Sequence, residues 1–340
     1  MPSYRNNFAP KSNTTQFGVI LANLGTPDSP STSSVRRFLR QFLSDKRVVE
    51  LPKILWWFIL NGIILVIRPR RSAHAYQQIW QEEGSPLMIY SIRQAEALEK
   101  SMNLDHAIPI AVRHAMRYGR PSVSDVLDEM TGQGIDRILV IPLYPQYSGS
   151  TVGSTFDEIG NVLAKRRFVP EIRFMNSYAN RTEYIECLEQ TVRQHWSSNG
   201  QAECLVMSFH GLPQEVCDAG DPYQQQCSET AHLLASKLGV QNWRFCFQSR
   251  FGPKAWIQPY TDSVLKDLGQ QGTKSIDMIC PGFSADCLET LEEVNIGYRE
   301  LFLASGGETF NYIPCLNDRP EHIQMLSQFV RKSAGDWLQS

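Results

Sequence analysis

One histidine stands where chemistry can be done. The run Leu205-Val-Met-Ser-Phe-His-Gly-Leu-Pro213 is mostly apolar up to His210, and Gly211 and Pro213 then break it. Such a run reads as a buried strand, and in an open α/β sheet the groups that meet a ligand sit beyond the carboxyl ends of parallel strands. Ser208, His210 and Gly211 fall at that end. An imidazole, with an unperturbed pKa of about 6.5, can transfer protons or ligate a metal near neutrality. A histidine at a strand end can equally cap a loop, so its partners decide the matter.

Partners are offered by a second stretch. After Pro281-Gly-Phe283, Ser284 is expected to cap a helix over 285–294, which places Asp286, Glu289 and Glu293 at i, i+3 and i+7 on one face. Like charges so stacked repel, although the helix dipole relieves acids near the N-terminus. The plain reading is a solvated acidic face. The functional one is a path for a divalent cation or for protons, with Glu289 directed at the histidine. One imidazole with one or two carboxylates is an incomplete site, since structural zinc takes four protein ligands and catalytic zinc three. An incomplete set suits a metal that must leave again, and Fe²⁺ accepts both ligand types.

These groups need a scaffold, and the patterning supplies an α/β one. Strands are expected at 17–24, 107–112, 137–143 and 171–175, then at 204–209, 243–247 and 275–280, with helices alternating between them. Ser33 and the apolar spacing after it mark an early helix, and Ser91 and Thr155 open others. Two successive sets of about four strands imply two similar domains, each a four-stranded parallel sheet flanked by helices, with an active-site cleft between them. The expected division is a polar tail over 1–16, a first domain over 17–155 with 315–340 packing back on it, and a second over 156–314. Asn23, Arg117, Tyr144, His210, Gln248-Ser-Arg250 and Pro281-Gly-Phe283 all follow expected strand ends.

Composition narrows the classes. At 340 residues, 20% charged and net −2, the chain lacks the basic bias that nucleic acid demands. Its eight cysteines form no C-x-x-C pair and the first sixteen residues hold no apolar signal core, so reduced thiols in the cytoplasm are expected. The run Ile54 to Ile67 is apolar but too short to span a bilayer and is interrupted by Asn61-Gly62. It is read as packing in the core or on an apolar ligand, in preference to peripheral membrane contact. Arg68, Arg70 and Arg71 follow it.

Four motifs in order resemble the ferrochelatases, most closely bacterial ones: Asn23-Leu-Gly-Thr-Pro27, Ser208-Phe-His-Gly-Leu-Pro213, Phe247-Gln-Ser-Arg-Phe-Gly252 and Cys280-Pro-Gly-Phe-Ser-Ala-Asp-Cys-Leu-Glu-Thr-Leu291. The resemblance runs from about Phe17 to Gln328. It implies two Rossmann-like, chelatase-type domains and insertion of Fe²⁺ into protoporphyrin IX, the last step of heme synthesis. His210 and Glu289 match the family's catalytic and metal-binding pair, and Asp286 and Glu293 the acidic row beside it. Asn23, Leu24, Arg68, Tyr76, Ser85 and Arg117 fall where porphyrin-contacting residues sit, with two residues inserted between Tyr76 and Ser85. Animal members hold a [2Fe–2S] centre on C-terminal cysteines. No cysteine follows Cys315 here, so no retained cofactor is expected and Fe²⁺ is substrate. Cys287 stands where some relatives have histidine.

Metallation requires two pyrrole N–H protons to leave and Fe²⁺ to shed solvent, and bending the macrocycle costs about 1–5 kcal/mol, offset by binding energy elsewhere. His210 as proton acceptor with Glu289 handling metal or protons, and His210 as iron ligand, both fit the sequence. Rival readings are a chelatase for coproporphyrin III or for Co²⁺ or Ni²⁺, and a non-catalytic heme-binding protein. A nucleotide-binding role finds no glycine-rich phosphate loop after the first strand.

Overall fold

The computed structural model describes residues 17–104 and 109–338. The polar tail 1–16 and the first two residues of the strand expected at 107–112 lie outside them. The described chain divides into two compact units, one of residues up to 143 with 149–176 and 318–338, the other of residues 144–148 and 177–317.

The first unit carries β1 (Phe17–Asn23), α1 (Thr32–Leu43), α2 (Lys53–Ile59), α3 (Leu65–Ile79), α4 (Pro86–Asn103), β2 (Ile110–Met116), α5 (Val123–Gly132), β3 (Arg137–Pro142), α6 (Ser154–Leu163) and β4 (Glu171–Phe174). Its sheet is parallel in the order β2-β1-β3-β4. Every residue of β1 is buried, as a central parallel strand covered on both faces requires. Ile20, Ala22, Val140 and Ile138 pack with Val126, Leu127 and Met130 of α5 in one core. Because burying one such aliphatic side chain stabilises by about 1.5–3 kcal/mol, the continuous apolar run fixes this strand's place. The helices start where the sequence offers caps. Ser122 and Asp125 form a reciprocal capping box on α5, and Ser85 caps α4 with Pro86 behind it. On α1 the cap is Ser31, not Ser33, because it is the Ser31 hydroxyl that accepts the Ser34 N–H.

The second unit repeats the plan with α7 (Thr182–Asn199), β5 (Cys204–His210), α8 (Gln214–Asp218), α9 (Tyr223–Leu238), β6 (Trp243–Gln248), α10 (Thr261–Gln270), β7 (Ser275–Ile279), α11 (Arg299–Ala304) and β8 (Thr309–Ile313). Its order, β6-β5-β7-β8, is the same as in the first unit with all neighbours parallel. The C-terminal helix α12 (Pro320–Ala334) belongs to the first unit.

Three expectations are corrected. The unit boundary falls at 176/177 rather than 155/156, because α6 leads into β4 and β4 pairs with β3. The helix expected over 285–294 starts later: Glu289–Tyr298 is a π-helix, and Ser284 is not its cap. The Ser284 hydroxyl instead meets the Tyr178 hydroxyl at 3.1 Å, and the Ser284 carbonyl accepts the Asn317 N–H. Finally, of the run 54–67 only Leu60 and Leu65 are buried in the core. No residue of α2 is buried, and Ile54, Leu55, Trp57, Phe58, Ile63, Val66 and Ile67 are all more than half exposed across α2, the π-turn Leu60–Ile64 and α3. Among the described residues no helix is long and apolar enough to cross a membrane.

Candidate active site

β5 delivers His210 as its last residue, with the main chain turning immediately at Gly211. A Cβ at Gly211 would sit 2.8 Å from the Gln248 carbonyl oxygen and 3.0 Å from the Trp256 ring, so only glycine lets the chain turn this tightly against β6. The Gly211 N–H donates to that same Gln248 carbonyl at 2.8 Å. The His210 Nδ1 lies 2.7 Å from the Gly211 carbonyl oxygen. A carbonyl only accepts, so Nδ1 carries the proton and the neutral ring keeps its lone pair on Nε2. Among the described residues nothing hydrogen-bonds Nε2, which makes it an unengaged base or ligand atom on a half-buried side chain.

The three acids expected on one face separate into different roles. Asp286 precedes the π-helix and is buried. Its Oδ1 accepts from the Tyr312 hydroxyl at 2.5 Å and the Thr290 hydroxyl at 3.0 Å, and its Oδ2 from the Asn317 amide at 2.7 Å. Tyr312 is pushed well above the usual phenol range, first by burial and then by the Asp286 charge. Glu293 is engaged as fully. It accepts the Ser249 N–H at 2.8 Å, the Ser249 hydroxyl at 2.5 Å and the Tyr298 hydroxyl at 2.9 Å. These bonds hold Ser249 at φ +67°, a left-handed conformation that a non-glycine residue adopts at a cost of about 1–3 kcal/mol.

Glu289 is the exception. It opens the π-helix, is half-buried, and its carboxylate meets only the Cys287 thiol among the described residues. That thiol is raised well above its ordinary pKa, first by burial and next by the Glu289 charge, so it is no competing nucleophile. Glu289 is tied to the histidine strand by Gln248, the register partner of His210 on β6. The buried Gln248 side chain donates from Nε2 to the Glu289 carbonyl at 3.0 Å and accepts at Oε1 from the Ser208 hydroxyl at 2.7 Å. No group of three or more His, Cys, Asp or Glu side chains among the described residues could hold a metal ion. The arrangement therefore offers one imidazole nitrogen and one carboxylate, enough to take protons or to touch a metal in passing.

The residues expected to contact a macrocycle in the first unit are mostly occupied. Asn23 ends β1, is buried, donates to the Ser91 hydroxyl at 3.2 Å and accepts the Leu24 N–H at 2.9 Å; Leu24 itself is half-buried. Ser85 is buried and caps α4 by accepting the Met88 N–H. Tyr76 is buried on α3, edge-to-face with Trp80 at 6.0 Å. Arg117 is locked into a polar cluster: it pairs with Asp45 at 2.6 Å and donates to the Ser154 hydroxyl at 2.7 Å, with the Arg117 and Asp45 side chains only 13% and 10% exposed. Burial alone would raise the Asp45 carboxyl; the Ser154 hydroxyl, the Arg47 N–H, the Tyr118 hydroxyl and the Arg117 charge together hold it below its ordinary value. Arg68 is half-buried on α3 and already engaged, while Arg70 and Arg71 are exposed beside the apolar face.

The sequence marks Gln248 as a strand end and as part of the Phe247–Gly252 motif, without a role. Its link to Glu289 depends on which strands pair, and a crossover sheet does not disclose that along the chain.

The chain matches known proteins over nearly its whole length. The family model described as Ferrochelatase matches residues 16–334. The chain is 49% identical over 324 residues to a ferrochelatase of Pseudoalteromonas atlantica, covering 95% of this chain and 90% of that one. It is 48% identical over 328 residues to a ferrochelatase of Alcanivorax borkumensis, covering 96% of each. Among solved structures, SirB from Bacillus subtilis with Fe³⁺ is similar at TM-score 0.57 and 12% identity, covering 95% of this chain and 97% of that one. CbiX, the terminal enzyme of siroheme biosynthesis in denitrifying bacteria, is similar at TM-score 0.51 and 12% identity, covering 93% and 99%. At that identity the last two speak for the fold alone. A family match over nearly the whole length, with relatives about half identical, places this chain in the ferrochelatase family, lyases that insert ferrous iron into a porphyrin for heme synthesis.

Proposed function

We propose that the porphyrin is protoporphyrin IX, that the product is protoheme with two protons released, and that His210 takes the pyrrole protons through Nε2. The carrying observation is the Nδ1–H to Gly211 carbonyl bond, which leaves Nε2 as the ring nitrogen open to a substrate at the strand end. A positioned imidazole is a common proton acceptor in catalysis, which is what pyrrole deprotonation asks for. Glu289, the one acid of the three not held by hydroxyl or amide donors, meets the incoming Fe²⁺ or passes the protons on. Asp286 and Glu293 lie on either side of it and support the loops from which such a path would run. Iron is cargo in this reading and no cofactor is retained; one imidazole with one carboxylate suits a metal that passes through.

The choice of a hydrophobic ring rests on the exposed apolar face of α2 and α3, with Arg68, Arg70 and Arg71 at its end as partners for propionates. A ring with two acid side chains suits such a surface better than one with four. The same face supports peripheral seating of a cytoplasmic enzyme on an anionic bilayer, from which an apolar substrate could be drawn. Anaerobic Fe²⁺ insertion, followed by absorbance with protoporphyrin IX and coproporphyrin III in parallel, tests both points. The expected result is faster turnover of protoporphyrin IX and co-sedimentation of the enzyme with anionic phospholipid vesicles. A preference for coproporphyrin III would overturn the substrate assignment, and no sedimentation with vesicles would overturn the membrane one.

A further inference from the structure

Gln248 links the His210 turn to Glu289 from a fully enclosed position, through its main chain on one side and its side-chain amide on the other. It is 1% exposed. Its backbone carbonyl accepts the Gly211 N–H, which fixes the turn that aims His210. Its Nε2 donates to the Glu289 carbonyl at 3.0 Å, at the first residue of the π-helix. That carbonyl can only accept, so the amide orientation is not in question. Its Oε1 then faces Ser208, whose hydroxyl donates to it at 2.7 Å and meets the Thr261 hydroxyl at 3.0 Å. The Cys280 thiol also approaches Oε1, at 3.8 Å.

The energetics favour a positioning role over simple filling. A buried primary amide costs stability unless its donor and acceptor are paired, and an apolar side chain of the same volume would fill the space without that demand. The Glu289 carbonyl that receives the Gln248 amide is at the first residue of the π-helix, so this bond ties the start of that helix to β6. We propose that Gln248 is a positioning residue for iron insertion: held in orientation by Ser208, it fixes the Glu289 main chain relative to His210. This rests on the assignment of His210 and Glu289 as the reacting pair. Groups that orient a metal-handling side chain from behind typically change activity about 10- to 100-fold when removed.

The test is anaerobic Fe²⁺ insertion into protoporphyrin IX by Gln248→Met, Ser208→Ala, Glu289→Gln and the double variant Gln248→Met/Glu289→Gln, with porphyrin binding and thermal unfolding measured on each. Gln248→Met keeps the volume and loses both hydrogen bonds. It should lower kcat about 10- to 100-fold with KM for porphyrin unchanged. In the Glu289→Gln background the same change should cost less than about threefold, since residues acting through one another are not additive. Ser208→Ala, a smaller change, should lose kcat in the same direction; it decides the matter if Gln248→Met does not fold. Equal losses in both backgrounds would reduce Gln248 to a structural residue and overturn the proposal, as would turnover within twofold of wild type while Glu289→Gln is inactive. Wild-type turnover by Glu289→Gln would instead overturn the pair itself, and the positioning role with it.

Discussion

The two units of this chain share one strand order and differ in what stands at the end of the leading strand. β1 ends in Asn23 and β5 in His210, and each strand lies between the corresponding neighbours of its own sheet. The Asn23 amide is engaged on both sides, by Ser91 and by Leu24, and nearby Arg117 is closed into a cluster with Asp45, Ser154 and Tyr118. Among the described residues His210 commits only Nδ1, and the Glu289 carboxylate has no hydroxyl or amide donor. The same topology therefore yields a sealed polar cluster in one unit and, in the other, two groups with atoms open to a ligand, which we propose react. What separates them is whether the polar atoms at the strand end are already paired. A charge among satisfied partners stabilises a fold; a base with nothing to bond waits for a substrate.

That contrast can be broken experimentally. The largest effect belongs to the open end: His210→Ala should lower iron insertion about 10²- to 10⁴-fold, the range for a lost proton-transfer group, while porphyrin binding and unfolding temperature stay near wild type. The sealed end should behave in the opposite way. Arg117→Ala leaves Asp45 buried without its cation and should cost about 3–5 kcal/mol of stability in denaturant unfolding, with turnover per folded molecule little changed. A smaller effect is expected from Asp45→Asn, about 1–3 kcal/mol at neutral pH. Since the folded-state pKa of Asp45 lies below its ordinary 3.8, the charged carboxylate contributes this stability fully above 3.8, and the contribution is lost as pH falls through the lowered value. The gap between wild type and Asp45→Asn in pH-dependent unfolding should therefore close on acidification below 3.8 and not on raising the pH.

Much of this was readable from the chain because central parallel strands announce themselves. Phe17–Asn23 and Cys204–His210 are continuous apolar runs with punctuation after them, and His210 was visible for that reason. β8 was not located, since Thr309-Phe-Asn-Tyr-Ile313 alternates as an edge strand does and carries no such run. The acidic row was misplaced for a different cause. The spacing of Asp286, Glu289 and Glu293 assumes α-helical geometry from 285 onward, whereas Asn317 and Tyr312, brought in from around β8, hold Asp286 outside the helix. For the stretch 54–67 the core half of the expectation holds only at Leu60 and Leu65, because apolar composition reports a preference for leaving water and not whether the fold supplies the cover. Ser85 and Arg117 occupy matching positions in the family pattern, yet sequence does not disclose that one is committed as a helix cap and the other inside an ion pair.

The central claim is that unpaired groups at the end of the second sheet do the chemistry, while the paired ones at the first hold structure. Single-turnover Fe²⁺ insertion into bound protoporphyrin IX, run anaerobically on His210→Ala and Arg117→Ala and normalised to folded protein, tests it most directly. The account predicts that the histidine variant binds porphyrin and does not metallate it, whereas the arginine variant metallates at close to the wild-type rate. Metallation by His210→Ala at the wild-type rate would contradict it.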